Sequence, residues 1–284
     1  MEKIKTNRWD KGCEKPLKDN RLCLTMLGTG HGTATKCYNT CFVLSDSEEY
    51  FLVDAGGGNQ ILRLLEEKNI SLNRIHHMFI THAHSDHILG AVWIIRMVGQ
   101  LILKDKYKGN LKIYANADVI EKLPILCKLV LMSKITNLFG KRIEFVLLQD
   151  GDSHTILNRK INFFDIKAKK LLQYGFEILE EKIVFCGDEP LRKELYKRAE
   201  GCNYLFHEAF CLDSECEKFK PHEKQHSTVK DVCMKAQELK IENLVLMHTE
   251  DSHIKERKEL YVKEGKEYFS GNLFVPDDGE RIVF

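Results

Sequence analysis

Thr81-His82-Ala83-His84-Ser85-Asp86-His87 places three histidines and one aspartate within six residues. An apolar, strand-like run, His77–Ile80, leads into it, and an apolar helical pattern begins near Leu89. A loop between a strand and a helix can turn all four polar side chains into one pocket. Neutral imidazole and carboxylate are ordinary ligands of zinc. A pair of ions about 4 Å apart needs two ligand sets and a bridging group, and the spacing H-x-H-x-D-H supplies halves of both. A solvated polar loop is the alternative, and three imidazoles in so short a span fit it poorly.

Working outward, short runs rich in Val, Ile, Leu and Phe recur along the chain: Leu22–Leu27, Thr40–Leu44, Tyr50–Val53, Met78–Thr81, Leu111–Tyr114, Ile143–Leu147, Ile161–Asp165, Phe176–Leu179, Ile183–Cys186, Tyr204–Phe206 and Leu244–Met247. Their composition predicts buried strands. Between them Gln60–Lys68, Leu191–Ala199 and Thr228–Leu239 have one apolar face each. Leu89–Leu103 is apolar almost all round and so should be buried. Asp251–Lys266 reads as a charged amphipathic helix. Hairpin-like strands come first and strands alternating with helices follow, which suggests two sheets covered outside by helices.

The chain has 284 residues, five prolines and a net charge of +1. This suits one α/β domain over residues 1–284, with residues 1–20 as a polar N-terminal extension. The near-zero charge announces no broad basic field for nucleic acid. No apolar run approaches the roughly 20 residues that span a bilayer, and Met1–Asn20 has no apolar signal core, so the expectation is a cytoplasmic protein with no membrane partner. The ten cysteines are scattered without a CxxC pair and read as reduced core residues. Cys186 stands out because it adjoins a candidate ligand.

The His82–His87 segment resembles the signature of the metallo-β-lactamase superfamily, and other motifs follow in that family's order. Asp54-Ala55-Gly56-Gly57-Gly58 resembles its first motif, Cys186-Gly187-Asp188 its fourth, and His248 after Leu244–Met247 its fifth. Within the superfamily the likeness is to the ribonuclease Z group. It rests on Leu27-Gly28-Thr29-Gly30 with Tyr38-Asn39-Thr40, on His207-Glu208-Ala209-Phe210, and on His226-Ser227-Thr228. The resemblance implies an αββα four-layer sandwich with zinc, up to two ions, or manganese or another divalent ion, at one edge. It implies that His82 and His84 hold the first ion, that Asp86, His87 and His248 hold the second, and that Asp188 bridges them. Asp54 would support the loop without being a ligand. Asp86, Glu208 and His226 are the candidate catalytic residues, since a carboxylate at Glu208 can orient His226 and raise its basicity. Ser227 or Thr228 is a natural cap for the helix that follows.

Three features depart from the family pattern. Its third-motif histidine is missing, and Lys167 stands in the aligned place. His154, the one histidine between His87 and Asp188, lies in Gln149–Thr155, which reads as a turn. No Gly/Pro-rich basic insertion resembles the tRNA-gripping arm of ribonuclease Z, and Gly90-Ala91-Val92 replaces Gly-Leu-Pro. Lys218–Lys224 could overhang the pocket; Lys104–Lys108, Lys141-Arg142 and Lys167–Lys170 read as solvated faces.

Three functions stay open. The first is a phosphodiesterase acting on RNA or a small molecule through metal-activated water. The second is an ester, thioester or lactone hydrolase. The third is a binder of nucleotide or RNA with a degraded first-metal site. Glu208 and His226 favour the first, and Lys167 keeps the third alive. Relatives of this kind often form homodimers, but no apolar stripe in the sequence marks such a face.

Overall fold

The computed structural model describes residues 21–284, so the polar N-terminal stretch lies outside the described residues. One sheet holds β1 (Cys23–Gly28), β2 (Cys41–Ser45), β3 (Tyr50–Val53), β4 (Ile75–Ile80), β5 (Leu111–Ala115) and β6 (Ile143–Leu147) in chain order. A second sheet holds β7 (Ser153–Ile156), β8 (Arg159–Asp165), β9 (Tyr174–Ile178), β10 (Ile183–Phe185), β11 (Tyr204–Glu208), β12 (Asn243–Met247) and β13 (Asn272–Phe274). The chain then returns so that β14 (Arg281–Val283) pairs antiparallel with β1 at the edge of the first sheet.

These strands are covered on both faces, so the residues that period-2 alternation sends to each side are apolar. In β4, Met78 and Ile80 face the helices Gln60–Glu67 and Ser85–Leu103, while Phe79 faces the other sheet. In β12, Val245 and Met247 enter the space between the sheets, whereas Leu244 and Leu246 pack under the helices Val229–Glu238 and Arg257–Gly265. Three apolar layers result, and with them an αββα sandwich. The middle layer is aromatic: Phe176 and Phe185 lie 5.3 Å apart between ring centres, and Phe42 meets Phe185 edge-on at 5.2 Å.

The strand-end loops that gather the polar residues follow β3, β4, β10, β11 and β12. β3 pairs in parallel with β4, and β10, β11 and β12 run parallel in turn, so each group of strands delivers its C-terminal ends to one side. The helix Ser85–Leu103 is long and apolar enough to cross a membrane by length and composition, contrary to the sequence reading. It is 56% buried inside the fold and carries Asp86 and His87 in its first turn, so it is the core helix of the first sheet. Gly90 on it packs where any Cβ would lie 1.8 Å from the carbonyl oxygen of Ala55. This close approach locks the helix onto the Asp54 loop.

Local expectations are corrected at four points. His154 lies on β7 and not in a turn. Leu191–Ala199 forms only two short turns, Lys193–Leu195 and Tyr196–Ala199. The last charged helix begins at Arg257, after turns over residues 251–256. An apolar surface does exist: Ile125, Leu129, Val130 and Met132, at the end of the helix Ala117–Val130, are all exposed.

Candidate metal centre

Asp54 and His248 both follow strands with left-handed backbone, φ +54° and +55°. Such conformations cost energy in non-glycine residues and persist only where the surroundings impose them. Each turn aims its side chain into the same cluster. Asp54 accepts from the Thr81 backbone N–H at 2.9 Å and from the Thr81 hydroxyl, while its Oδ2 lies 2.8 Å from His87 Nδ1. That contact places the proton on Nδ1 and frees His87 Nε2 to face the pocket. His82 is held similarly, with Nδ1 2.9 Å from Thr81 Oγ1 and Nε2 only 2.8 Å from His84 Nδ1.

Asp188 sits at the centre. Its Oδ2 lies 3.5 Å from the Nε2 atoms of His82, His87 and His248 alike. Asp86 Oδ2 lies 3.2 Å from His87 Nε2 and 3.7 Å from His248 Nε2. All these residues except His84, which is partly exposed, are buried. Two groups emerge with ligand atoms within 4.8 Å of one another: His82, His87 and Asp188, and Asp86, His87 and His248.

The chemistry of this set fits divalent cations. His87 Nε2, Asp188 Oδ1 and both ring nitrogens of His248 are buried with no hydrogen-bond partner, a costly state unless something positive meets them. Burial pulls the His87 pKa down, yet Asp86 and Asp54 overcome it and hold it well above the ordinary value, so an ion at Nε2 would displace a proton that these carboxylates otherwise hold there. Burial raises Asp188, but His82, His87 and His248 more than reverse this and keep it ionised. Carboxylates converge here in excess, and a cation satisfies them.

Glu208, fully buried at the end of β11, accepts from the Ser227 backbone N–H at 2.8 Å, and its Oε2 lies 3.5 Å from His226 Nδ1. The His226 ring stacks on Phe210 at 5.1 Å and lies 5.2 Å from the His248 ring. Burial lowers the His226 pKa and Glu208 raises it, for a net upward shift. Thr228, and not Ser227, caps the helix through a reciprocal capping box with Asp231. His207 accepts from Leu191 N–H at 2.9 Å and donates to the Glu208 carbonyl, so it braces the strand end.

The open side is a cavity of about 130 Å³ lined by Gly32, His84, Asp86, Lys170, Gln173, Asp188, Glu189, Lys224, His226 and His248. Of the Lys218–Lys224 segment, Lys224 reaches it. Lys167 does not: its ammonium pairs with Asp165 at 3.0 Å and Asp150 at 3.2 Å on the surface. His154 packs near Tyr114, 5.0 Å between ring centres, away from the cavity. Cys186 is buried in the core beneath the second sheet, its thiol raised by burial beyond the range in which it would ionise. Sequence reasoning missed Gln173. It is 1% exposed, its Oε1 has no partner, and that oxygen lies 3.2 Å from where a Cβ on Gly187 would stand. An isolated glutamine carries no spacing signal, which is why it escaped notice.

Comparison with known proteins places these residues in context. Residues 22–269 match the family described as anti-Pycsar protein Apyc1. Ribonuclease Z of Bacteroides fragilis is 22% identical, the match covering 90% of this chain and 97% of that protein. Among solved structures, the metallo-β-lactamase-fold protein YhfI of Bacillus subtilis superposes with a TM-score of 0.75 at 17% identity, over 93% of this chain and 100% of that one. A diphosphatase from the PhnP family superposes with a TM-score of 0.72 at 16% identity, over 93% and 97%.

Proposed function

The chain belongs to the anti-Pycsar protein Apyc1 family, with a ribonuclease Z-like metallo-β-lactamase fold, and from that premise we propose that it is a metal-dependent phosphodiesterase acting on a small phosphodiester. The observation that carries the reading is the convergence of unpartnered buried His and Asp atoms on Asp188 Oδ2, beside the Glu208–His226 pair. Asp86, His87 and His248 would hold one ion, His82 and His84 the other, and Asp188 both. Divalent ions bound there would polarise a phosphoryl oxygen and lower the pKa of water towards 7.

The remaining work falls to the chain's own groups. Asp86, at the cavity wall, can take the proton of the attacking water. His226, kept basic by Glu208, can donate a proton to the departing alkoxide. Lys224 lies 5.0 Å from the centre of the Phe210 ring, and Lys170 donates to the Lys224 carbonyl at 2.8 Å. Glu189 accepts from the Lys169 backbone N–H at 3.0 Å and so orders the Lys170 loop. These two ammonium groups on the cavity wall suit a phosphate oxyanion.

A small substrate is favoured over RNA by the charge distribution. Polynucleotide binding draws on many unpaired cations along the phosphate backbone. Here Lys167, Lys218 and Lys220 are each paired with a carboxylate. The family description speaks of antagonism to Pycsar and not of RNA maturation. The test is hydrolysis of bis(p-nitrophenyl) phosphate beside p-nitrophenyl acetate and a thioester, with and without a chelator. Chelator-sensitive cleavage of the phosphodiester alone supports the reading. Preference for the acetate or thioester would favour ester hydrolysis, and binding of phosphodiester without turnover would favour a binder.

A further inference from the structure

We propose that Glu215, Glu250 and His253 form a separate cation site that takes a zinc-class divalent ion and clasps the loop behind the catalytic residues. The three offer ligand atoms that lie within 4.8 Å of one another. They share no residue with the catalytic cluster. Glu215 ends the turn Asp213–Glu215, Glu250 follows the strand that delivers His248, and His253 lies in the next turn.

The decisive feature is Glu250, which is 3% exposed. Its Oε2 accepts from the backbone N–H of Ser252 at 2.6 Å and from the Ser252 hydroxyl. Its Oε1 is buried with no donor at all, and so is Oε2 of Glu215. The only charged partners of Glu215 are Lys218 and His253, both on Oε1 at 3.1 Å, among the described residues. Two carboxylates therefore each present an orphaned oxygen in the company of an imidazole. A buried anionic oxygen without a donor is expensive, and a dication relieves both at once. One imidazole and two carboxylates form a donor set of the zinc type. Ligand atoms lie about 2.0–2.2 Å from bound zinc, so the three must draw together on binding, and His253 is the most exposed of them, with 36% of its side chain accessible. A proton shared between the carboxylates is the competing arrangement, and it binds no metal.

The position gives such an ion a structural task. The Glu250 backbone N–H donates to the Phe210 carbonyl at 2.7 Å, and the Phe210 N–H donates to the Ser227 carbonyl at 2.9 Å. An ion here would tie Asp213–Glu215 to the turn after His248 and so stiffen the support under Phe210, on which His226 stacks.

The experiment is zinc content per chain, with thermal melting in zinc and in chelator, for the unchanged protein and four variants. His253→Ala should lose one equivalent of zinc and the zinc-dependent part of its melting shift, while phosphodiester hydrolysis persists. Glu250→Gln, nearly isosteric, should lose the same equivalent. Asp188→Asn should lose the catalytic ions yet keep one that disappears when His253→Ala is added. The proposal is overturned if His253→Ala holds as much zinc as the parent, or if the Asp188→Asn chain holds none. It is independent of the proposed activity: a chain that cleaves no phosphodiester but loses one ion with His253→Ala would keep this site and refute the enzyme.

Discussion

The two halves of the proposed metal cluster are built differently. The proposed second position would draw Asp86 and His87 from the first turn of a buried helix and His248 from the opposite sheet, and Asp54 fixes His87 from behind. Its ligands come from separate, rigid elements. The proposed first position would lean on His82 and His84 of a single loop, and His84 is only partly buried. Beyond these two imidazoles and Asp188, the cavity wall offers the neutral carboxamide of Gln173. Preorganised ligands lose less freedom on binding an ion, so the second position should bind the more tightly. The difference shows that a motif can look complete in sequence while its two sites differ in strength.

The largest effect should come from the residue the halves share. Asp188→Asn removes the bridging charge and should reduce phosphodiester hydrolysis by on the order of 10³-fold or more, with loss of metal from both positions. Retained metal and turnover would mean that the two halves are independent.

His226→Ala should lower turnover by roughly 10²-fold or more through loss of proton donation, with unchanged metal content by elemental analysis. Glu208→Gln should act in the same direction and more weakly. Metal loss in either variant would move His226 into the ligand set.

Asp54→Asn should weaken the second position by about 10–100-fold, the usual range for a group that orients a ligand histidine. Metal affinities of the two positions should then converge in a competition titration. An unchanged strong step would show that helix packing alone orients His87.

Gln173→His should tighten the first position by about tenfold or more, since an added imidazole ligand should count for at least as much as a group that merely orients one. Lys167→His should change the metal-to-chain ratio not at all, because Lys167 belongs to an exposed ion pair worth ~0–1 kcal/mol. If Lys167→His raised the ratio and Gln173→His did not, the assignment of the missing histidine's place would revert to Lys167.

The contrast between Lys167 and Gln173 also shows where the sequence was legible. The clustered residues at strand ends were readable because Asp54, His82–His87, Asp188 and His248 each follow a run of buried apolar residues that fixes their place. The sandwich was readable for the same reason, from strands apolar on both faces. Lys167 turns away from the cavity because Asp165 and Asp150 pair with its ammonium, and Gln173 reaches the wall instead because the loop between β8 and β9 turns back on itself: the Ile166 N–H donates to the Gln173 carbonyl at 3.0 Å. Counting along the chain cannot see which end of that loop meets the metal loop. β7 was unreadable because Ser153-His154-Thr155-Ile156 is mostly polar. β13 and β14 are three residues each and exist only through distant partners. Glu250 and His253 escaped notice because Glu215, which completes their cluster, is more than thirty residues away along the chain.

The most direct test is a zinc titration of metal-free protein carrying His253→Ala, so that the Glu215 cluster adds no ion, with binding and bis(p-nitrophenyl) phosphate hydrolysis followed together. The account predicts two steps: a tight first ion with little turnover, then a weaker second ion with which hydrolysis rises. Absence of hydrolysis at every zinc level, or hydrolysis already present before any zinc is added, would contradict it.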